Sequence, residues 1–519
     1  MGQPVESLKI QSTENGPNFP ANRRKYSGRS TFAQILATLI QNWLLIEIGL
    51  DWAMPTMVIG ALHKNPAEAL NMNDDQASWL GSIPSICHPL ASLSSGYLQE
   101  LLGRKTAMIF VTIPTFAAWM TLYFAQSIHA LYAVAAIMGL CTGLTEAPLH
   151  SYIGEIGEPH LRGTLSTISQ SAGFIGVFLM YVLCYFYDWR TVALICSACP
   201  IITFTSMTQI PESPTWLIVK GRLEEAKKSL CWLRGWVKPC EVEEEFQTLA
   251  DHTKKSVNSI DSTQMVEDCA SAKIDGYLRM QFERLISKKV LLPLGMVCIV
   301  FFFSVVAGFV GIRPYLIGEL KKLGVPIDPK LILIAFQVLV FVGAMMNVLL
   351  LRRFGKRRIA LFSYSAHAFS ILILGIYCSS MESLEQFPQL AWLPVIFMLT
   401  LGFLTGFSST LLPWQLVSEL FPIVGRGLAS GISAAWAYIV GFILVKSFLY
   451  TETWIGLSGV TYAYGAVSVI GVAYIYSYLP ETEGKTLEQI ETYFTKNHDR
   501  KEKFSIGKST NNTGLEHSS

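Results

Sequence analysis

The sequence predicts an all-α membrane protein with twelve transmembrane helices, arranged as two pseudo-symmetric six-helix bundles that a cytoplasmic helical linker connects. Of its 519 residues, 51% are hydrophobic and only 15% are charged, whereas a soluble protein carries about 25% charged residues. The apolar residues also fall in long runs, each of roughly the twenty residues that a helix needs to cross about 30 Å of hydrocarbon. In addition, Lys and Arg residues concentrate in alternate loops.

Twelve apolar runs are long enough to span a membrane. Six have almost no charged residues and cover residues 106–125, 163–186, 191–210, 290–312, 331–351 and 458–479. Six others are more polar and cover residues 31–62, 76–98, 130–154, 359–380, 391–417 and 427–450. Because lipid offers no hydrogen-bond partner to peptide groups, each run is expected to be a helix.

The placement of basic residues predicts the orientation. With both termini in the cytoplasm, 33 of the 40 Lys and Arg residues lie in cytoplasmic segments and five lie in outside loops. Short cytoplasmic loops are enriched in Lys and Arg, so this orientation is favoured over the reverse. We therefore expect a multi-pass protein of the cell membrane with both termini cytoplasmic.

The chain divides into five predicted segments. Residues 1–30 and 480–519 are polar and are expected to be cytoplasmic tails. Residues 31–210 and 290–479 hold the two bundles. Residues 211–289 form the longest interruption, where apolar residues at helical spacing predict short amphipathic linker helices.

The two bundles resemble each other in sequence. The loop after the second span contains Gly103-Arg104-Lys105, and the loop after the eighth contains Gly355-Lys356-Arg357. Parallel repeats related by an axis along the membrane normal would produce this agreement. The alternative is that any tight cytoplasmic loop attracts basic residues, which accounts for the charges and not for the shared register.

Five motifs stand in order at the predicted cytoplasmic ends of spans. They read Gly96-Tyr-Leu-Gln-Glu100-Leu-Leu-Gly103-Arg104-Lys105, Tyr152-Ile-Gly-Glu155 followed by Arg162-Gly163, Pro211-Glu212-Ser213-Pro214-Thr215-Trp216-Leu217, Glu419 followed by Arg426-Gly427, and Pro480-Glu481-Thr482-Glu483-Gly484-Lys485-Thr486. Together they resemble the signatures of the sugar porter family of the major facilitator superfamily, over about residues 31–495. Leu101 stands where the family has a basic residue. Ile312-Arg313-Pro314-Tyr315 is also similar to the insect facilitated trehalose transporter-like group.

The charged residues of these motifs are predicted to form a cytoplasmic latch. Carboxylate and guanidinium groups at helix ends can form bidentate pairs between bundles, which would hold the inner side closed when the carrier opens outward. The alternative is that these charges lie independently at the membrane interface. The latch residues are Glu100, Arg104, Glu155, Arg162, Glu212, Glu419, Arg426 and Glu481.

The resemblance implies two residues that bind the solute. Gln170 lies seven residues after Gly163 on the fifth span, and Trp414 follows a proline on the tenth. Each could instead pack between helices.

Other positions depart from the family pattern. Val305 and Val310 stand where sugar porters carry amide side chains on the seventh span, and Ala437-Tyr438 stands for the usual Asn-Trp pair. A pocket without those amides is expected to bind a hexose poorly, because the contacts they supply are lost.

Charged residues inside spans usually face a cavity or a partner. Glu47 and Asp51 lie four residues apart on one face of the first span, and Arg313 lies at a similar depth on the seventh. We expect an Asp51–Arg313 ion pair that closes an outer gate, with Glu146 as a further cavity carboxylate. Two alternatives remain. Asp51 could carry a coupled proton, as the resemblance to proton-coupled symporters implies, or the two residues could lie at the interface independently.

The predicted function is facilitative transport of a sugar, trehalose or a hexose, by alternating access. The alternatives are proton-coupled symport of a sugar or another small organic solute, and a nutrient sensor that transports little. No phosphate-binding glycine loop, nucleophile elbow or metal-ligand cluster is recognised, so we expect no enzyme activity, no catalytic residue, no cofactor and no metal. Nor is there a basic face for nucleic acid. The expected partners are a small-molecule solute, the lipid bilayer and, in the alternative, protons.

Overall fold

The computed structural model describes residues 27–261, 288–380, 388–421, 426–483, 490, 493 and 494. Regular structure within these residues is almost entirely helical. Most of both predicted tails and linker residues 262–287 lie outside the described residues.

Seven helices build the N-terminal bundle, the sixth span being divided in two at Ser197. They are α1 Ser27–Leu62, α2 Asp74–Leu102, α3 Arg104–Tyr123, α4 Ile128–Ile156, α5 Pro159–Phe186, α6 Trp189–Cys196 and α7 Ala198–Gln209. The start of α2 shows why the chain turns there. Asn73 Oδ1 accepts a hydrogen bond from the Gln76 N–H at 2.8 Å, and Gln76 Oε1 accepts one from the Asn73 N–H at 3.1 Å. This capping box fixes the helix start.

Three short helices occupy the described part of the predicted linker. They are α8 Pro214–Val219, α9 Leu223–Leu233 and α10 Glu243–Asp261. Their apolar faces form a small core of their own around Trp216, Leu230 and Phe246. The amphipathic pattern therefore serves to pack these helices on one another.

The C-terminal bundle begins with an interrupted span. Its helices are α11 Lys288–Ala307, α12 Leu316–Lys322, α13 Pro329–Phe354, α14 Lys356–Ser379, α15 Leu393–Leu404, α16 Leu411–Leu420 and α17 Arg426–Tyr478. A π-helical turn, Thr405–Ser409, joins α15 to α16. Gly456 has φ 72° and divides α17 at the boundary between the two spans expected there.

The seventh span differs from the unbroken helix expected over residues 290–312. Regular α-helix ends at Ala307, and Phe309 has φ 57°, a left-handed conformation that is rare for a bulky residue. A short 3₁₀ turn, Arg313–Tyr315, follows before α12. Non-helical backbone at this depth requires burial in protein, and Phe309 and Ile312 are both buried.

Nine described helices are long and apolar enough to cross a membrane. One of the nine, α17, is divided at Gly456 and counts as two passes. The helices α2 and α5, which are more polar or described in part, add two more and bring the number to twelve. The chain is a multi-pass, all-α membrane protein.

The buried cores show how the bundles meet. We define the outer side as the side of the loop 63–73 and the inner side as the opposite one, following the predicted orientation. The largest cluster of described buried residues joins outer halves of both bundles, for example Leu80 and Trp119 with Leu374 and Phe448. Toward the inner side, two separate clusters replace it, one in each bundle. The bundles are therefore packed together outside and divided inside.

Candidate functional site

A cavity of about 60 Å³ lies between the bundles near the middle of the spanning helices. It is enclosed by α1, α2, α4 and α17, and the residues that line it include Asp51, Trp52, Ser85, His88, Thr142 and Tyr438. Sites for small solutes are lined by apolar side chains with a few polar groups among them, and the lining of this cavity has that mixed character.

Two helices of the cavity wall approach each other very closely. A Cβ added at Gly143 on α4 would lie 2.3 Å from the His88 carbonyl oxygen and 2.8 Å from the Ala91 Cβ on α2. Small residues allow this kind of backbone approach in membrane helices. The close contact places polar side chains of α2 next to Glu146, one turn further along α4.

Those side chains form a polar cluster beside the cavity. Glu146 Oε2 accepts the Ser92 hydroxyl at 2.7 Å and lies 3.2 Å from His88 Nε2. The His88 ring stacks on Tyr438 across the bundle boundary, with centroids 3.8 Å apart. The structure thus brings the predicted carboxylate Glu146 together with Ser92 and His88, which the sequence did not single out. A histidine inside a span was the signal that could have indicated them.

The first span carries the two predicted buried carboxylates. Glu47 Oε2 accepts the Thr203 hydroxyl at 2.9 Å, while Glu47 Oε1 has no hydrogen-bond partner. One turn outward, Asp51 lines the cavity and its Oδ1 is also buried without a partner.

Asp51 and Arg313 are not brought within ion-pair distance in the described structure. The first span instead meets the 3₁₀ turn through the Thr56 hydroxyl, which donates to the Arg313 carbonyl oxygen at 3.2 Å. Thr56 lies five residues beyond Asp51, about 7.5 Å further along the helix. The break in the seventh span therefore sets Arg313 further out than its sequence position implied. Its gating role stays a prediction.

A different ion pair joins the bundles at the outer side. Lys446 Nζ on α17 lies 2.9 Å from Asp75 Oδ1 and 2.8 Å from Ser78 Oγ, both on α2. The Tyr450 hydroxyl donates to the same Asp75 oxygen at 2.6 Å. The ammonium also lies 4.1 Å from the centroid of Trp79. We refer to Asp75, Ser78, Lys446 and Tyr450 as the outer clasp.

The inner motifs cap helices within their own bundles. In the N-terminal bundle, Glu212 accepts the backbone N–H groups of Arg104 and Lys105, each at 3.0 Å, directly after Gly103 with φ 98°. In the C-terminal bundle, Glu481 accepts the N–H groups of Lys356 at 3.0 Å and Arg357 at 3.1 Å. Gly355 precedes them with φ 78°. A carboxylate at a helix N-terminus satisfies N–H groups that have no partner within the helix.

The remaining described latch residues also pair within one bundle. Arg104 Nη2 lies 2.9 Å from Glu155 Oε1 and 3.1 Å from Glu100 Oε1. Glu419 pairs with Lys356 and accepts the Thr482 hydroxyl at 2.9 Å. The separate inner cores keep the two sets apart in this conformation. The side chains of Arg162 and Arg426 lie outside the described residues, and a latch between the bundles stays a prediction.

The structure does not place either of the two predicted solute contacts, Gln170 and Trp414, at the lining of the cavity. The Gln170 side chain lies outside the described residues. Trp414 is half-buried and packs edge-on against Phe301 at 5.2 Å, within the inner core of the C-terminal bundle. It is not among the residues that line the cavity.

Glu212→Gln is expected to destabilise the protein by about 1–2 kcal/mol, because the charged acceptor of several backbone N–H groups is replaced by a neutral one. Since Glu481 has the same geometry in the other bundle, Glu481→Gln should show a loss of the same sign. Thermal unfolding of purified protein in detergent would measure both. Glu224→Gln is the matched control, since Glu224 is an exposed linker glutamate to which no described residue donates a hydrogen bond. A Tm equal to that of the parent in both cap variants would contradict the capping role.

A family model described as "Sugar (and other) transporter" matches residues 31–494. The facilitated trehalose transporter Tret1 of Anopheles gambiae is 27% identical over 504 residues, which cover 95% of this chain and 60% of that protein. The Tret1 of Polypedilum vanderplanki is 28% identical over 462 residues, covering 89% of this chain and 88% of that protein.

Among solved structures, the fold is similar to that of the xylose transporter XylE from E. coli. A partially occluded inward-open form has a TM-score of 0.65 at 19% identity, and the match covers 88% of this chain and 100% of that chain. The predicted fold class is thereby confirmed. The chain spans about 60% of the length of the Anopheles relative.

Proposed function

The chain belongs to the family of sugar (and other) transporters, and on that premise we propose that it is a facilitative carrier that moves a sugar across the membrane by alternating access. The observation that carries the proposal is the arrangement of its cores. The outer halves of the bundles share one core and the inner halves have two. Two packed bodies that meet on one side and part on the other form one end state of a rocking carrier.

The proposed solute is trehalose or a hexose. The Tret1 relatives are described as facilitated trehalose transporters, at 27–28% identity. The cavity between the bundles offers hydroxyl, imidazole, carboxylate and aromatic groups to such a solute. We also propose Gln170 and Trp414 as solute contacts on the basis of the family motifs.

We propose that the carrier lies in the cell membrane with both termini cytoplasmic. The distribution of the Lys and Arg residues supports this orientation. It would place the outer clasp at the extracellular entrance and the helix-capping glutamates on the cytoplasmic side.

Proton-coupled symport is the second candidate. Asp51 Oδ1 and Glu47 Oε1 are buried and have no hydrogen-bond partner. Carboxylates in this position are expensive to keep ionised in a membrane, so they are chemically suited to take up a proton.

Uptake of labelled trehalose, glucose and fructose in a transport-null cell, with and without a protonophore, tests the proposal. We expect saturable uptake of at least one of the three sugars, with a rate that the protonophore leaves unchanged. Cells without the transporter provide the background rate. Uptake that the protonophore abolishes, and that loses its pH dependence in Asp51→Asn, would support proton coupling instead. Failure to take up any of the three would contradict sugar transport.

A further inference from the structure

We propose that Glu146, held by Ser92 and His88, is a hydroxyl-binding subsite for the transported solute. The inference rests on the proposed function, because its ligand is a neutral polyhydroxylated molecule. Its support is the geometry of α2, α4 and α17 around the central cavity.

The carboxylate of Glu146 is fixed through one oxygen only. Oε2 takes both bonds from α2, from Ser92 Oγ at 2.7 Å and from His88 Nε2 at 3.2 Å. No described residue donates a hydrogen bond to Oε1. The Glu146 side chain is 20% exposed and lies beside the cavity, whose lining residues include its partner His88 and not Glu146 itself. A carboxylate with one oxygen tied and the other free is pre-organised to accept a hydrogen bond from a ligand.

The location of Glu146 favours a role in binding over a purely structural one. Charged residues within membrane spans are costly and usually line a solute path. A Glu146–His88 pair with a purely structural role would not need to lie at a cavity. His88, which donates to Glu146, lines the cavity together with Asp51 and Thr142. The position is near the middle of the spanning helices, where carriers of this architecture bind their solutes.

Tyr438 adds an aromatic surface from the opposite bundle. Its ring stacks on His88 with centroids 3.8 Å apart and an interplanar angle of 29°. Aromatic rings offer an apolar face against which the C–H groups of a sugar can pack. Because this contact crosses the bundle boundary, a solute bound by Glu146 would lie where the bundles move against each other.

The subsite also accounts for a feature of the sequence. Val305 and Val310 on the seventh span lack the polar groups that hydroxyl recognition requires. Buried polar partners set selectivity for hydroxyl groups, since an unmade bond leaves the protein group without a partner. The carboxylate of Glu146 supplies such a partner from the N-terminal bundle.

The test compares uptake of the sugar that the parent transports, trehalose or a hexose, with uptake of its monodeoxy analogues by the parent, Glu146→Gln and Ser92→Ala. We expect Glu146→Gln to raise KM about tenfold, equivalent to one charge-assisted hydrogen bond, without lowering the amount at the cell surface. The parent should transport one deoxy analogue about tenfold less well than the unmodified sugar. Glu146→Gln should transport that analogue and the unmodified sugar equally well. Ser94→Ala is the matched control on α2, because the one hydrogen bond of Ser94 in the described part of the chain goes to the backbone oxygen of Ala91.

Ser92→Ala keeps the carboxylate and loosens it, so discrimination against the same analogue should fall while the surface amount is retained. This variant decides the matter if Glu146→Gln fails to fold. If the parent takes up sugar, and the uptake rate of every deoxy analogue falls by the same factor in the parent and in the variants, the subsite is wrong and the carrier proposal stands. If the parent takes up none of the sugars, the proposed function fails and the subsite with it.

Discussion

Replacing Lys446 by Gln is expected to open the outer side of the carrier and to lower the rate of sugar uptake several-fold. Lys446 links the two bundles through Asp75 and Ser78, over the ring of Trp79. These contacts exist only while the outer halves are packed together. Removing the ammonium therefore raises the free energy of the outward-closed conformation relative to that of the outward-open one. The equilibrium between the two conformations shifts toward the outward-open one.

The size of the shift follows from ordinary contact energies. A partly exposed ion pair contributes up to about 1 kcal/mol, and a cation–π contact adds about 0.5–1 kcal/mol. A loss of about 1.4 kcal/mol changes the ratio of the two conformations about tenfold. Among the described contacts of the Asp75 carboxylate, the hydrogen bond from Tyr450 would remain.

The shift can be measured as access to the cavity from outside. Ser85 lines the cavity, so a Ser85→Cys reporter should react faster with a membrane-impermeant thiol reagent when Lys446→Gln is present. The double exchange Asp75→Lys with Lys446→Asp should recover part of the closure, since the opposite charges again face each other.

Lys321→Gln is the matched control for this experiment. Lys321 is an exposed lysine at the outer side without a described partner, so its replacement should change neither labelling nor uptake. If Lys446→Gln also leaves the labelling rate and the uptake rate unchanged, the outer clasp does not stabilise the closed state.

The sequence was sufficient for features that depend on local composition. The twelve apolar runs reappear as helical spans, the seventh of them interrupted after Ala307, and the two loops of the internal repeat reappear as matching structures. In each bundle, a glycine with positive φ precedes a helix whose N–H groups a distant glutamate accepts. The shared register of the two loops indicated this match in the sequence. A loop that needs a glycine with positive φ and a carboxylate to cap the next helix tolerates few sequences.

Features that depend on distant contacts were not accessible in the same way. Lys446 and Asp75 are 371 residues apart in the sequence, so a lone lysine in a span gave no indication of its partner. The Asp51–Arg313 expectation assumed a continuous seventh helix. The break after Ala307 altered the depth of Arg313, and composition alone does not signal it because Phe309 takes a conformation usually left to glycine.

The variant Gly143→Ala should cause the largest loss of stability among these predictions. The added Cβ would lie 2.3 Å from the His88 carbonyl oxygen and 2.8 Å from the Ala91 Cβ. The carbonyl belongs to the α2 backbone, so the helices themselves must separate. Overpacking of this kind costs about 1–3 kcal/mol or more. We expect a lower Tm in detergent and less protein at the cell surface.

Gly154→Ala on the same helix is the matched control. A Cβ there would have no described atom within 4 Å, and alanine favours a helix over glycine by up to about 1 kcal/mol. Its Tm should be equal to or above that of the parent. Separation of α2 from α4 also moves His88 and Ser92 away from Glu146, so uptake per molecule at the surface should fall in Gly143→Ala and not in Gly154→Ala. Equal Tm and equal uptake in the two variants would show that the close approach of α2 and α4 is not required.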